Sequence, residues 1–150
     1  MSTVTAEPAA SARPLPEYAT LVGLFGSALG GFLVLGRNRL PERIGFGDVA
    51  RLGLASYKIG RLVAKDEVTT WVRAPVTRDE DAREPEREGM ARALGELVTC
   101  PYCIGLWVSV GLTGALAVRP RETRLVTTVF EAQAVADFLN AAFVRIRGES

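Results

Sequence analysis

Hydrophobic and polar positions divide the chain into long uncharged runs and shorter charged segments. Nineteen residues from Tyr18 to Gly36 and twenty-one from Val98 to Val118 contain no charged side chain. A bilayer core about 30 Å thick requires roughly 20 apolar residues in a helix. Because helices of soluble domains are amphipathic, so short a chain could hardly cover two helices that are apolar on all sides. The pattern therefore predicts two membrane-spanning helices, at about 18–36 and 98–118.

A further helix is predicted at 49–65, with Asp48 as its N-cap. At about 100° per residue its bases share one arc and its apolar side chains the opposite one, together with Ser56 and Gly60. Such a helix either lies in the membrane interface with its basic face toward headgroups, or spans with its basic stripe paired inside a bundle. We expect the interfacial position, because spanning buries Lys58 near mid-helix. The bases are Arg51, Lys58, Arg61 and Lys65.

A last helix is predicted at 124–144, and it can span if Glu131 and Asp137 face protein. Residues 1–17, rich in Pro, Ala and Ser, are typical of a disordered tail, and 66–96 form a polar loop whose run of mixed charge is solvated. The predicted fold is therefore an all-α integral membrane helical bundle over 18–147. Three or four of its helices span the membrane or lie in the membrane interface, and the charged loop 66–96 is cytoplasmic.

Net charge and composition limit the kinds of partner that the chain is expected to bind. The net charge is +1 and no basic patch with interleaved aromatics occurs, so nucleic acid is not an expected partner. The chain contains no His, which removes the commonest metal ligand and general base.

Gly26 and Gly30 form a G-x-x-x-G that would let another helix approach closely. The expected partners are membrane lipids and either a second copy of the chain or another membrane protein.

Loops rich in Arg and Lys stay in the cytoplasm, which orients the bundle. With three spans the bases divide fourteen to four and the N-terminus is outside; with four spans they divide nine to six and both termini are inside. Both arrangements place the loop 66–96, the cysteines and the C-terminus in the cytoplasm. We expect a multi-pass protein of the bacterial cell membrane in this orientation.

The most distinctive local pattern is Cys100-Pro101-Tyr102-Cys103, a C-x-x-C at a helix start. In that position the helix dipole favours a thiolate at the first cysteine, and the second could resolve a mixed disulfide. A C-x-x-C is also half of a zinc site, which a dimer or a carboxylate such as Glu96 would have to complete. The third interpretation is that both are structural thiols, which we favour because the chain lacks a βαβ pattern.

Glu131 and Asp137 are the acids at predicted membrane depth. Carboxylates there indicate a proton relay or ion contact, or a packing pair with Arg124 or with the basic stripe of the 49–65 helix. We favour the packing pair, because few helices are available for a carrier and no inverted repeat is visible.

Several blocks resemble a known family. They are similar to the bacterial membrane family called domain of unknown function 1360 (DUF1360), and the blocks are Tyr57-Lys58 with Arg61 to Asp66, then Arg73-Ala74-Pro75, then Gly95-Glu96-Leu97-Val98-Thr99-Cys100-Pro101-Tyr102-Cys103 with Gly105 and Trp107. Lys58 departs from the family pattern, in which Arg is expected at that position. The resemblance covers roughly 48 to 143, so the first helix looks like an addition. It implies a small helical membrane protein and marks Arg61, Asp66, Arg73, Pro75, Glu96, Cys100, Pro101, Cys103 and Trp107 as family-motif residues. It implies no reaction.

We therefore expect a bacterial integral membrane protein that acts as an envelope scaffold or partner-binding protein rather than as an enzyme. The alternative is a membrane dithiol protein that uses Cys100 and Cys103 in thiol–disulfide exchange or metal binding. A small carrier using Asp137 and Glu131 is a third hypothesis. No cofactor is expected, with zinc as the one candidate.

Overall fold

The computed structural model describes residues 15–38, 44–79, 81, 83–86 and 88–148. This part of the chain is helical and contains no strand, only an isolated bridge between Thr77 and Pro85. Residues 1–14 of the predicted disordered tail lie outside the described residues. The helices are α1 Leu15–Gly36, α2 Phe46–Lys65, α3 Thr70–Arg73, α4 Gly89–Thr99, α5 Pro101–Val118 and α6 Pro120–Arg147.

The segment predicted as a polar loop is mostly helical. Short 3-10 turns, Glu67–Thr69 and Ala74–Val76, flank α3, and α4 occupies the end of the segment. The prediction of a loop over 66–96 is therefore wrong in extent, and the loop itself is confined to 77–88. Burial supplies the reason, since Ala93 and Gly95 of α4 are buried against the rest of the protein, a contact that local polarity does not reveal.

Several helix ends differ from the predicted ones. The predicted 98–118 helix is divided at Cys100, which has extended backbone angles, and Pro101 then occupies the first turn of α5. Gly45, not Asp48, is the N-cap of α2, and Asp48 lies in the first turn. Helix α6 runs longer than predicted and ends where Gly148 adopts the left-handed conformation, with φ 69°.

Helices α1 and α5 are long and apolar enough to cross a membrane by length and composition, and they are the two helices of the described chain that meet this criterion. None of the most apolar 18-residue window of α1 is buried inside the protein, and only 6% of that of α5. The core helices of a soluble domain would be mostly covered. Both helices therefore leave part of their apolar surface uncovered by the rest of the described protein.

Helices α2 and α5 cross at very short distance. A Cβ on Gly60 would lie 2.8 Å from the carbonyl oxygen of Pro101 and 3.2 Å from Cα of Gly105. One turn earlier in α2, the carbonyl oxygen of Ser56 lies beside Gly105. The contacts therefore move backward along α2 as they move forward along α5, so the two helices are antiparallel.

Helix α1 packs on α5 in the opposite sense. The rings of Phe25 and Trp107 meet edge to face with centroids 5.2 Å apart, and Phe32 lies against Gly114 seven residues further along both helices. Contacts that advance together along both chains show that α1 and α5 are parallel. The predicted packing glycines Gly26 and Gly30 have open space where a Cβ would stand.

Helix α6 returns antiparallel to α5 after the single residue Arg119 and packs on α2. Tyr57 of α2 stacks on Phe138 of α6, with centroids 5.8 Å apart. The four long helices thus alternate in direction along the chain. Helices α3 and α4 lie at the end of the bundle where α2 ends and α5 begins, which we name the cysteine end.

Candidate functional site at the start of helix 5

The two cysteines meet at the beginning of α5. Both are free thiols, and their sulfur atoms lie 2.8 Å apart. Cys100 is the N-cap of α5, and its sulfur accepts a hydrogen bond from the backbone N–H of Cys103 at 3.4 Å. The two sulfurs are therefore close enough to form a disulfide when an oxidant removes two electrons and both thiol protons are lost.

The environment of Cys100 favours the thiolate. Partial burial raises the pKa of its thiol, but hydrogen bonds from the Cys103 side chain and from the backbone N–H groups of Cys103 and Tyr102 lower it, as does the charge of Lys65. The lowering effects prevail, so the pKa of Cys100 lies below the ordinary value for cysteine. A thiolate is the reactive form of the side chain, so Cys100 is the better nucleophile of the pair.

Cys103 lies at the edge of an apolar groove between α1, α4 and α5. The groove has a volume of about 420 Å³. The hydrogen bond that the Tyr18 hydroxyl donates to the Glu96 carboxylate borders the groove, and Arg92 contacts the same carboxylate at 3.0 Å. The residues that define this groove, here named the α1–α5 groove, include Tyr18, Phe25, Glu96, Cys103, Leu106 and Trp107.

Arg73 ties the end of α2 to the segment that follows it. Its side chain is buried, and one guanidinium nitrogen donates to the carbonyl oxygens of Val63 and Asp66, at 2.6 and 3.1 Å, and to the hydroxyl oxygen of Thr69 at 2.9 Å. The Thr69 hydroxyl donates in turn to the carbonyl of Leu62 at 2.6 Å. Carbonyls at a helix end lack intrahelical partners, so this arrangement caps α2.

The family-motif residues therefore fall into three groups. Glu96, Cys103 and Trp107 line the α1–α5 groove, with Cys100 and Pro101 at the helix start beside it. Asp66 and Arg73 belong to the cap of α2. Arg61 and Pro75 are exposed.

The acids of α6 lie at the α2–α6 contact, away from the cysteines. Asp137 accepts a hydrogen bond from Lys58 at 2.7 Å, and Glu131 lies 3.9 Å from Arg51. Nearer the start of α6, Arg124 contacts Asp48 of α2 at 3.3 Å. These contacts favour the packing pair over the carrier. Among the described residues no group of three or more Cys, Asp or Glu is placed to hold a metal ion.

The loop 77–88 is folded against α4. Backbone hydrogen bonds join Arg78 to Glu84 and Glu86 to Val76, and the Asp79 carboxylate accepts from the backbone N–H of Arg83 and Glu84, at 2.9 and 2.6 Å. These hydrogen bonds, that from Glu84 first, lower the pKa of Asp79. The described part of the charged run thus forms a hydrogen-bonded loop at the cysteine end.

Sequence reasoning missed the part that α1 plays in the groove. Tyr18 and Phe25 are separated from Glu96 and Trp107 by about half of the chain, so only the packing of α1 on α5 brings them together. The aromatic residues at one face of the first apolar run are the signal that could have indicated this contact.

The fold and site define a small all-helical protein with two helices long and apolar enough to cross a membrane, ion-paired α2 and α6, and a pair of cysteines at a helix start. The sequence profile of the family described as "Protein of unknown function (DUF1360)" matches residues 51–143. The chain belongs to this family, and the resemblance found in the sequence is confirmed. Helix α1 precedes the matched region.

A curated relative supports this assignment. The chain is similar to the "UPF0713 protein YngL" of Bacillus subtilis (strain 168), with 27% identity over 74 residues. The alignment covers 46% of this chain and 57% of that relative. No solved structure shows a significant match.

Proposed function

We propose that this chain is a four-span membrane protein of the bacterial cell membrane that binds a protein partner through the cytoplasmic surface of its cysteine end. The parallel packing of α1 and α5 carries the proposal. Two parallel helices that both cross a bilayer require a return crossing between them. Helix α2, with 20 residues, is the described helix between them with the necessary length of about 30 Å.

Exposed apolar surface supports the membrane location. Val34 of α1 and Leu106 of α5 are 70% and 55% exposed, and the outer face of α6 adds Leu125 and Leu139 at 70% and 66%. Large exposed apolar patches are rare on soluble monomers. Lipid is the solvent that suits them.

Ion pairing removes the objection to burying α2. Lys58 would lie inside the membrane at the level of the first turns of α5, since the neighbouring Gly60 packs on Pro101 and Gly105. An unpaired charge inside the membrane costs up to about 3 kcal/mol. Its 2.7 Å contact with Asp137 pairs both charges, and Arg51 with Glu131 forms a second pair. This arrangement favours a spanning α2 over the interfacial position expected from the sequence.

The distribution of bases supports the orientation. With four spans the cysteine end holds nine Arg and Lys residues and the opposite end six. The richer end stays in the cytoplasm. The loop 77–88, the cysteine pair and both termini are then cytoplasmic.

Accessibility of single cysteines in intact cells tests the topology. In a Cys100→Ser/Cys103→Ser background, Asn38→Cys is external if α2 spans and cytoplasmic if it lies flat. Arg121→Cys is external and Gly148→Cys is cytoplasmic in both cases, so they calibrate labelling by a membrane-impermeant maleimide. Labelling of Asn38→Cys only after permeabilisation would refute the four-span topology.

The partner is tested on protein extracted in mild detergent after cross-linking in cells. We expect one protein to copurify in fixed ratio with the wild type and to be lost with Arg83→Glu in the loop. The matched variant Arg121→Glu, at the opposite end, should retain it. A chain that purifies alone, or a partner that both variants retain, would contradict the scaffold.

A second candidate function, thiol–disulfide exchange, is favoured by the 2.8 Å separation of the two sulfurs. Cys100 thiolate would attack one sulfur of a target disulfide, and the other target sulfur would leave as a thiolate. Cys103 would then attack the Cys100 sulfur, which releases the second target thiol and leaves Cys100 and Cys103 joined. The target gains two electrons and the pair loses them.

This function predicts different results for the two serine variants. Cys103→Ser should accumulate a mixed disulfide through Cys100, whereas Cys100→Ser should form none. If both variants give the same thiol-sensitive bands as the wild type, the pair does not perform exchange.

A further inference from the structure

We propose that the α1–α5 groove binds a lipid-soluble quinone, which oxidises the Cys100–Cys103 dithiol. This inference rests on the second candidate function, taken in the oxidising direction: the quinone forms the Cys100–Cys103 disulfide, and that disulfide then oxidises a target dithiol by exchange. The position of Cys103 at the edge of the groove carries it. A molecule inside the groove therefore lies next to Cys103, whose sulfur is 2.8 Å from that of Cys100.

The walls of the groove indicate the class of ligand. Leu106 and Trp107 of α5 and Phe25 of α1 lie within the two helices long and apolar enough to span a bilayer. An occupant would enter from lipid, so it must be apolar itself. The volume of about 420 Å³ suits a ring of six carbons with its substituents and the first part of a prenyl tail.

The polar features of the groove suit a quinone better than an acyl chain. Tyr18 and Glu96 place a hydroxyl and a carboxylate beside the thiol of Cys103. A quinone takes up protons on its two oxygens on reduction, and the resulting quinol hydroxyls would donate to the Glu96 carboxylate or to the Tyr18 oxygen. The aromatic rings of Phe25 and Trp107 offer flat surfaces to its ring.

The step balances without a further reactant. Cys100 and Cys103 give up two electrons and two protons and form one S–S bond. The quinone takes up both electrons and both protons, one proton on each carbonyl oxygen, and becomes the quinol. Cys103, which lines the groove, passes the electron pair to the quinone, and the Cys100 thiolate attacks the Cys103 sulfur to close the disulfide.

The test uses the full chain in lipid nanodiscs, reduced, freed of reductant and kept without oxygen. The probe is decylubiquinone, whose fully substituted ring accepts electrons without adding thiols. We expect one quinol and the loss of two thiols per chain, measured by the absorbance of the quinone and by maleimide labelling. Diamide, a water-soluble oxidant, should form the same disulfide without using the groove.

Matched groove variants separate binding from thiol chemistry. Leu106→Trp fills the groove and should slow oxidation by decylubiquinone about tenfold or more, a loss of about 1.4 kcal/mol or more. Leu125→Trp, on the outer face of α6, should react at the wild-type rate. All three proteins should react equally with diamide. If Leu106→Trp also slows diamide, Val22→Trp, on the α1 side of the groove, replaces it as the filling variant.

Two results would overturn the proposal. One is a dithiol that diamide oxidises but decylubiquinone does not, and the other is a filled groove that leaves the quinone rate unchanged. In either case a mixed disulfide trapped by Cys103→Ser would still support exchange with a protein target. Failure of the quinone site and failure of the exchange function are therefore distinguishable.

Discussion

Lys58 of α2 and Asp137 of α6 form an ion pair with 2.7 Å between nitrogen and oxygen, and the Lys58 side chain is only 15% exposed. Removal of one partner leaves the other charge in an environment with little water. Asp137→Asn should therefore lower the free energy of unfolding by about 2–4 kcal/mol. Unfolding in mixed micelles with increasing dodecyl sulfate, followed by circular dichroism, measures the change.

The double variant Lys58→Met/Asp137→Leu supplies the control, because it removes both charges and should recover most of the lost stability. A double variant no more stable than Asp137→Asn would show that the two charges do not compensate each other.

The crossing of α2 and α5 should not tolerate a methyl group at Gly60. The added Cβ would meet the backbone oxygen of Pro101, which cannot move aside as a side-chain end would. Gly60→Ala should destabilise the protein by about 1–3 kcal/mol, measured in the same unfolding assay.

Gly26→Ala is the matched substitution, because a Cβ there meets open space. It should be neutral or raise stability by up to about 1 kcal/mol through helix propensity. A loss for Gly26→Ala as large as that for Gly60→Ala would mean that a second helix covers α1 at Gly26, as in a homo-oligomer. No loss for either variant would mean that the α2–α5 crossing is looser than the structure shows.

Arg73 should not be replaceable by lysine. A guanidinium has several donors in a fixed plane: one nitrogen reaches the carbonyls of Val63 and Asp66 and the hydroxyl of Thr69, and the other reaches the hydroxyl of Thr70 at 3.4 Å. Arg73→Lys should cost about 1–3 kcal/mol because buried carbonyls lose their partners. Arg61→Lys, at an exposed position on α2, is the control and should remain within about 0.5 kcal/mol of the wild type. Similar stability of both variants would contradict the capping role.

The apolar helices could be predicted from the sequence because membrane-spanning length is a local property. The same holds for the start of α5, where Pro101 and the preceding cysteine mark a helix beginning. Helix α4 could not be predicted in this way, because its buried residue Gly95 is required by a tertiary contact. A Cβ there would lie 2.4 Å from the carbonyl oxygen of Val76 and 2.9 Å from Pro85.

Only part of the candidate site could be predicted from the sequence. The cysteine pair is visible as a pattern, but the groove depends on Phe25 meeting Trp107 across 82 positions of the chain. The choice between a flat and a spanning α2 also depended on tertiary structure. Amphipathicity is the same in both cases, and only the directions of α1 and α5 and the partner of Lys58 favour one of them.

The reactivity of Cys100 should depend on pH as a lowered pKa requires. Because the pKa of Cys100 lies below that of an ordinary thiol, the thiolate is already present at pH values where a free cysteine is protonated. In a Cys103→Ser variant, whose hydroxyl can replace the thiol as a donor, iodoacetamide alkylation should reach its half-maximal rate at a lower pH than in an unfolded peptide of the same residues. Cys103→Ala, which lacks that donor, should shift the profile toward higher pH. Identical profiles for serine and alanine would show that the Cys103 side chain does not stabilise the thiolate.

The loop 77–88 should depend on the charge of Asp79. Its carboxylate accepts hydrogen bonds from the backbone of Arg83 and Glu84, which lower its pKa. Because the folded loop binds the deprotonated form, the stabilisation is present above the pKa of the free side chain and is lost as the pH falls through the lowered value. Trypsin at neutral pH should therefore cleave the Asp79→Ala variant faster at the arginines of the loop, and amide exchange there should also be faster.

Asp81→Ala is the matched control, since Asp81 approaches Arg83 only at 3.8 Å between exposed side chains. Equal protection in both variants would mean that the backbone bridge alone holds the loop.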